Sequence, residues 1–137
     1  MVTITAEYLG DLHCRAVHGP SGTVLETDAP KDNQGRGEAF SPTDLCATAL
    51  LTCMATIMGI AARNFGYDLK GLKMEVRKHM TTMPPRRIAR LELEFVMPRA
   101  ADEPTRLKLR RAAETCPVHQ SLHHDVEIQA NFVWPEA

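Results

Sequence analysis

Residues 40–66 read FSPTDLCATALLTCMATIMGIAARNFG, and no other part of the chain constrains the architecture as strongly. Ser41 can cap a helix, Pro42 suits the first helical position, and Asp44 stands three residues beyond the cap in a capping-box arrangement. Gly66 closes the segment after Asn64 and Phe65. Between these signals, Leu45 to Ala62 contains 18 residues without a charge, the lower edge of a membrane span. Three threonines, a glycine and several alanines keep it weakly hydrophobic, and a central helix is the reading preferred over a transmembrane one. Cys46, Ala49, Leu50, Cys53, Ile57 and Ile60 are expected on one face. The opposite face, with Leu51, Met54 and Met58, is also apolar, so the helix needs cover nearly all round. One sheet covers one side only, which argues for a partner subunit.

On the N-terminal side, Val2, Ile4, Ala6 and Tyr8 alternate with polar residues as a half-buried strand does. Leu12, Cys14 and Ala16 form its expected hairpin partner beyond a turn at Gly10-Asp11. Gly19-Pro20-Ser21-Gly22 is a second turn, and residues 23–27 a third strand. Residues 29–40, rich in glycine and charge, are expected to be a mobile loop. On the C-terminal side, Leu72, Met74 and Val76 mark a strand, Pro84-Pro85 a turn, and Leu91, Leu93, Phe95 and Met97 its antiparallel partner. Pro104 to Thr115 reads as a short polar helix. Cys116 takes a cap position with Pro117 opening a further helical turn. Residues 126–134 alternate as a last strand. The order βββ-α-ββ-α-α-β predicts a single α+β domain over residues 1–137, with antiparallel sheets packed on one long helix.

The 137 residues carry a formal net charge of −1, with 44% hydrophobic and 24% charged side chains. This balance gives no electrostatic case for nucleic acid or an anionic membrane. The N-terminus has neither a basic nor an apolar leader segment, so a reducing cytoplasm is the expected location of the four cysteines. They form no CxxC pair and have no zinc-finger spacing. Cys46 and Cys53 are two helical turns apart, about 10 Å and beyond disulfide reach, and Cys46 and Cys14 are expected to be packing residues. His119, His123 and His124 are read as surface residues and not as metal ligands. Cys53 is different in context: a mid-helix thiol gains nothing from the helix dipole, so its thiolate needs a cation nearby. Cys116, at a helix start, should be favoured as a thiolate.

Residues 40–66 resemble the central helix of the OsmC/Ohr superfamily, with a Ser-Pro-x-x-Leu start and a cysteine eleven residues after the proline, from Pro42 to Cys53. TCPVHQSL, residues 115–122, resembles that family's second signature, Cys-Pro at the start of a short helix. With the preceding hairpins and the final strand in the family's order, the resemblance covers essentially the whole chain. It implies antiparallel sheets wrapped around long central helices in an intertwined homodimer, which is the second cover the helix needs. It also implies reduction of organic hydroperoxides without metal or bound organic cofactor, Cys53 being the peroxidatic thiol and Cys116 the resolving one. An external dithiol, a lipoyl group being one candidate, would regenerate the pair.

The resemblance is to the general OsmC-like branch. The hydroperoxide-resistance branch has a glutamate directly after the proline, where Thr43 stands here, and an arginine at the first hairpin tip, here Gly10-Asp11. The candidates for stabilising the Cys53 thiolate are therefore Arg15, on a strand, and Arg36, on the loop before the helix, with Asp44 orienting the cation. Met54 and Met58 are candidates for lining an apolar pocket. The alternative is a non-enzymatic small-ligand-binding or stress-response protein on the same fold, its thiols unreactive.

Overall fold

The computed structural model describes residues 1–137, and the chain divides into two compact units, Met1–Cys46 and Ala47–Ala137. In the first, β1 (Ile4–Gly10), β2 (His13–His18) and β3 (Val24–Asp28) form an antiparallel meander in that order. The turn falls where the sequence places it, with Gly10, Asp11 and Leu12 all at positive φ, a conformation uncommon for the last two. The pairing of β2 with β3 runs in unbroken register from Val17 opposite Val24 to His13 opposite Asp28.

Residues 29–40, expected to be mobile, are held by hydrogen bonds at several points. A 3₁₀ turn covers Lys31–Asn33, the amide of Ala29 donates to Leu12, and that of Gly35 to Pro30. Gly35 is required there: a Cβ would lie 1.7 Å from the carbonyl oxygen of Ala29. Charge and glycine content predict a loop correctly, but they do not count the hydrogen bonds it makes with itself.

Helix α1 (Pro42–Phe65) begins in the first unit and continues through the second. Its start is a reciprocal capping box. The Asp44 amide donates to Ser41 Oγ at 3.1 Å, and the Ser41 amide to Asp44 Oδ2 at 2.9 Å. Gly66 follows the last turn at φ 66°, the left-handed conformation that suits a helix terminator. By length and composition α1 could cross a bilayer, with a mean hydropathy of 2.0 over 18 residues.

The buried stripe of α1 is Ala47, Leu50, Met54, Met58 and Ala62. Leu50, Met54 and Met58 follow i, i+4, i+8 spacing and share one face. Helical periodicity alone groups Leu50 with Cys53 and sets the methionines opposite. Cys53 and Ile57 instead lie at the flank, half-buried, and Ile60 is exposed.

The second unit holds β4 (Lys73–Met80), β5 (Ile88–Val96), α2 (Glu103–Glu114), α3 (Pro117–Ser121) and β6 (Glu127–Val133). The sheet order is β4-β5-β6, β4 antiparallel to β5 as expected. β6 runs parallel to β5, which alternation cannot reveal, because α2 and α3 form a crossover long enough to return the chain to the same end of the sheet. On β5, Leu91, Leu93 and Phe95 are buried, and Phe95 stacks on Phe132 of β6 with ring centroids 5.1 Å apart. Leu109 and Ala113 of α2 complete the buried set. Asp102 caps α2 by accepting from the Thr105 amide at 2.9 Å, and hydrogen bonds from the Thr105 side chain first and its amide second hold the carboxyl below the ordinary value.

Candidate active site: a paired thiol on two helices

Cys53 sits in the middle of α1, and Cys116 is the N-cap residue of α3. They are 63 positions apart in sequence, yet the Cys53 thiol lies within hydrogen-bonding reach of the Cys116 thiol. Both are free thiols. The two differ in access: Cys116 has no exposed surface, whereas Cys53 is half-buried.

The local sequence explains how Cys116 is placed. α2 ends at Glu114, Thr115 follows as its C-cap, and Cys116 adopts extended backbone at φ −62° and ψ 146°. Pro117 then starts α3 without needing an amide partner. The Sγ of Cys116 accepts the amide of His119 at 3.3 Å, the work an aspartate or serine oxygen does at other caps.

The expectation that this position favours the thiolate needs correction. Burial pushes the Cys116 thiol up, the His119 amide opposes the rise, and the hydrogen bond and charge of Cys53 add to it. α3 has five residues, and its few amides do not compensate for removing a charge from water. In the reduced pair Cys116 is held as the protonated partner.

The other candidates occupy local positions. Arg15 is exposed on β2, with Glu7 and Glu26 as its cross-strand neighbours. Arg36 is exposed and reaches Asp11 at 3.4 Å. Asp44 is engaged in the capping box. Met54 and Met58 are completely buried. Cys14 and Cys46 are half-buried. His119 offers its amide to Cys116, while His123 and His124 stack on each other at 4.3 Å. With Asp125 these last two form an exposed group whose ligand atoms lie within 4.8 Å of one another, the residues best placed to hold a metal ion.

One feature escaped the sequence reading. His13 Nδ1 donates to Asp28 Oδ1 at 2.6 Å, and the buried Asp28 also accepts the Glu38 amide at 3.1 Å. His13 Nε2 faces Glu26 Oε1 at 3.5 Å. The Asp28 hydrogen bond raises the His13 pKa, and the same bond lowers that of Asp28. The pair ties β2 to the loop that leads into α1.

The fold has known counterparts. The family model of the OsmC-like protein matches residues 35–131. A crystal structure from Psychrobacter arcticus 273-4, described as an osmotic stress induced and detoxification response protein, is 42% identical, covers 96% of each chain and superposes with a TM-score of 0.91. Two organic hydroperoxide resistance proteins share the fold at lower identity. That of Legionella pneumophila is 16% identical over 97% of this chain and 96% of its own, TM-score 0.78. That of Elizabethkingia anophelis is 14% identical over 98% and 96%, TM-score 0.79. No curated protein sequence gives a significant match. With 97 consecutive positions matched by the family model, from 35 to 131, and a 42% identical relative of the same fold, the chain belongs to the OsmC-like protein family.

Proposed function

We propose that the protein is a thiol-dependent peroxidase that reduces organic hydroperoxides through a Cys53 sulfenic acid and a Cys53–Cys116 disulfide. The observation that carries this reading is the contact between the two thiols. A half-buried sulfur beside a fully buried one suits the division of labour the chemistry needs. The Cys53 thiolate attacks the distal oxygen of the peroxide, the O–O bond breaks, and the alcohol leaves with a proton. Cys53 is then a sulfenic acid. The Cys116 thiol condenses with it, releasing water and forming the disulfide. An external dithiol restores both thiols by exchange.

Arg15 or Arg36, from the same chain or from a second copy, is the proposed cation for the Cys53 thiolate, with Asp44 orienting it; Met54 and Met58, fully buried in the core stripe of α1, leave no surface for a substrate. The working form is a homodimer in a reducing cytoplasm. Organic hydroperoxide resistance in the names of two structural relatives supports this choice of substrate.

A steady-state assay with cumene hydroperoxide and a lipoyl dithiol tests the reading. Wild type should turn over, and Cys53→Ser should be inactive. Cys116→Ser should consume about one equivalent and stop, further peroxide driving Cys53 to the sulfinic acid. Normal turnover by Cys116→Ser would remove the resolving role and leave the ligand-binding alternative in its place.

A further inference from the structure

The oxidised pair can be opened at either sulfur, and the two routes leave the reductant attached to different cysteines. We propose that the reductant's thiolate attacks Sγ of Cys53 and that Cys116 is the leaving sulfur, so the mixed disulfide of the cycle is carried by α1. This rests on the reading of Cys53 and Cys116 as a redox couple.

Access is the first argument. Thiol–disulfide exchange needs the attacking sulfur in line with the bond it breaks, so the attacked sulfur must be reachable from outside. Cys116 has no exposed surface, and Cys53 retains some. An attack on Cys116 would require a reductant to enter a space already filled by protein.

Reception of the leaving sulfur is the second argument. Cys116, as an N-cap, faces the His119 amide at 3.3 Å, and the Val118 amide also points to it. Cys53 is a mid-helix residue, and amides beyond the first turn of a helix are committed to its own carbonyls. Charge on a departing Cys116 therefore meets backbone donors, whereas a departing Cys53 finds no free backbone amide. Burial works against the Cys116 anion and in the reduced protein outweighs the amides. That same preference returns a proton to Cys116 soon after it departs. A protonated Cys116 does not attack back, which commits the exchange.

One thiolate of the dithiol forms a bond to Cys53 Sγ, the Cys53–Cys116 bond breaks, and its electron pair goes to Cys116, which takes a proton. The second thiol of the reductant then attacks the reductant's own sulfur in the mixed disulfide. A disulfide closes within the reductant, Cys53 is released as a thiolate, and two electrons have passed to the protein.

The test uses the wild-type chain. The disulfide is formed in one sample with cumene hydroperoxide and in a second with diamide. Each is treated briefly with N-acetylcysteamine, a monothiol that cannot complete the second step. The samples are then quenched with acid, denatured in the presence of N-ethylmaleimide and mapped by peptide mass spectrometry. The expected result is the monothiol on Cys53 and maleimide on Cys116, in a ratio of at least about ten to one. Monothiol on Cys116, or an even mixture, overturns the inference, as does failure of diamide to form the disulfide. If diamide gives the expected adduct while the peroxide leaves both thiols unoxidised, the direction of attack stands and the peroxidase reading falls.

Discussion

The two sheets begin from the same pattern of alternating residues and end in different surroundings. On β5, Leu91, Leu93 and Phe95 are 0%, 3% and 0% exposed. On β1 and β3, Ile4, Tyr8, Val24 and Leu25 are between 44% and 64% exposed. Alternation shows that a strand has an apolar side; it does not show which molecule will cover it. The second unit buries one face of β5, with Phe132 of β6, within the chain. The first leaves large side chains open, at a cost near 25 cal/mol for each Å² of apolar surface left in water. A second copy of the chain is the proposed cover.

The largest effect should come from the self-covered sheet. Phe95→Ala removes a fully buried ring and its stacking partner for Phe132, and should lower the unfolding free energy by about 3–5 kcal/mol in urea titration. A loss below about 1 kcal/mol would mean that this core does not carry the second unit.

A charge on the open sheet should act differently. Leu25→Asp should leave the secondary structure by circular dichroism unchanged, yet shift the mass by light scattering from a dimer toward the 15.2 kDa monomer. Wild type that is already monomeric at micromolar concentration would remove the proposed cover and with it the dimeric working form.

The smallest effect separates the units by pH. His13 has a raised pKa, so its contribution is complete below its ordinary 6.5 and is lost as pH rises through the raised value. Asp28 has a lowered one, so its contribution is complete above 3.8 and is lost as pH falls through the lowered value. The pair therefore supports the first unit fully between those two ordinary values. Cys116, also raised, should weaken the second unit only on the alkaline side of the ordinary thiol value of 9.0. Amide hydrogen exchange read residue by residue checks this. Glu38 should lose protection as pH passes the His13 midpoint, after correction for intrinsic rates, and Asp28→Asn should flatten that dependence. A His13 midpoint at or below 6.5 by NMR would contradict it.

Much of this architecture was legible because its signals are local. Ser41, Pro42 and Asp44 mark a helix start through atoms within one turn, and Cys116-Pro117 does the same for α3. The cap geometry follows from those residues alone. The direction of β6 was not legible, since it depends on how α2 and α3 cross the sheet. The face of α1 that is buried was not legible either, because an apolar-all-round helix gives periodicity nothing to select. Cys116 shows a different limit: its cap position could be read, but the burial that overrides it depends on residues distant in sequence. The His13–Asp28 pair lies between these cases. The turn over residues 19–22 sets the register of β2 on β3, and carrying that register down the hairpin brings His13 opposite Asp28. The signal was present, but it required pairing two strands and not reading each alone.

A sulfur that caps a helix also makes its redox state visible from the backbone. The His119 amide proton points at a thiol in the reduced pair and would face a disulfide sulfur, a poorer acceptor, in the oxidised one. The resonances of the His119 amide and its neighbour Val118 should therefore move when the pair is oxidised, while the amides of α2 hold still. A ¹⁵N-labelled sample then carries its own oxidation gauge, readable in intact cells without a dye or an attached reporter.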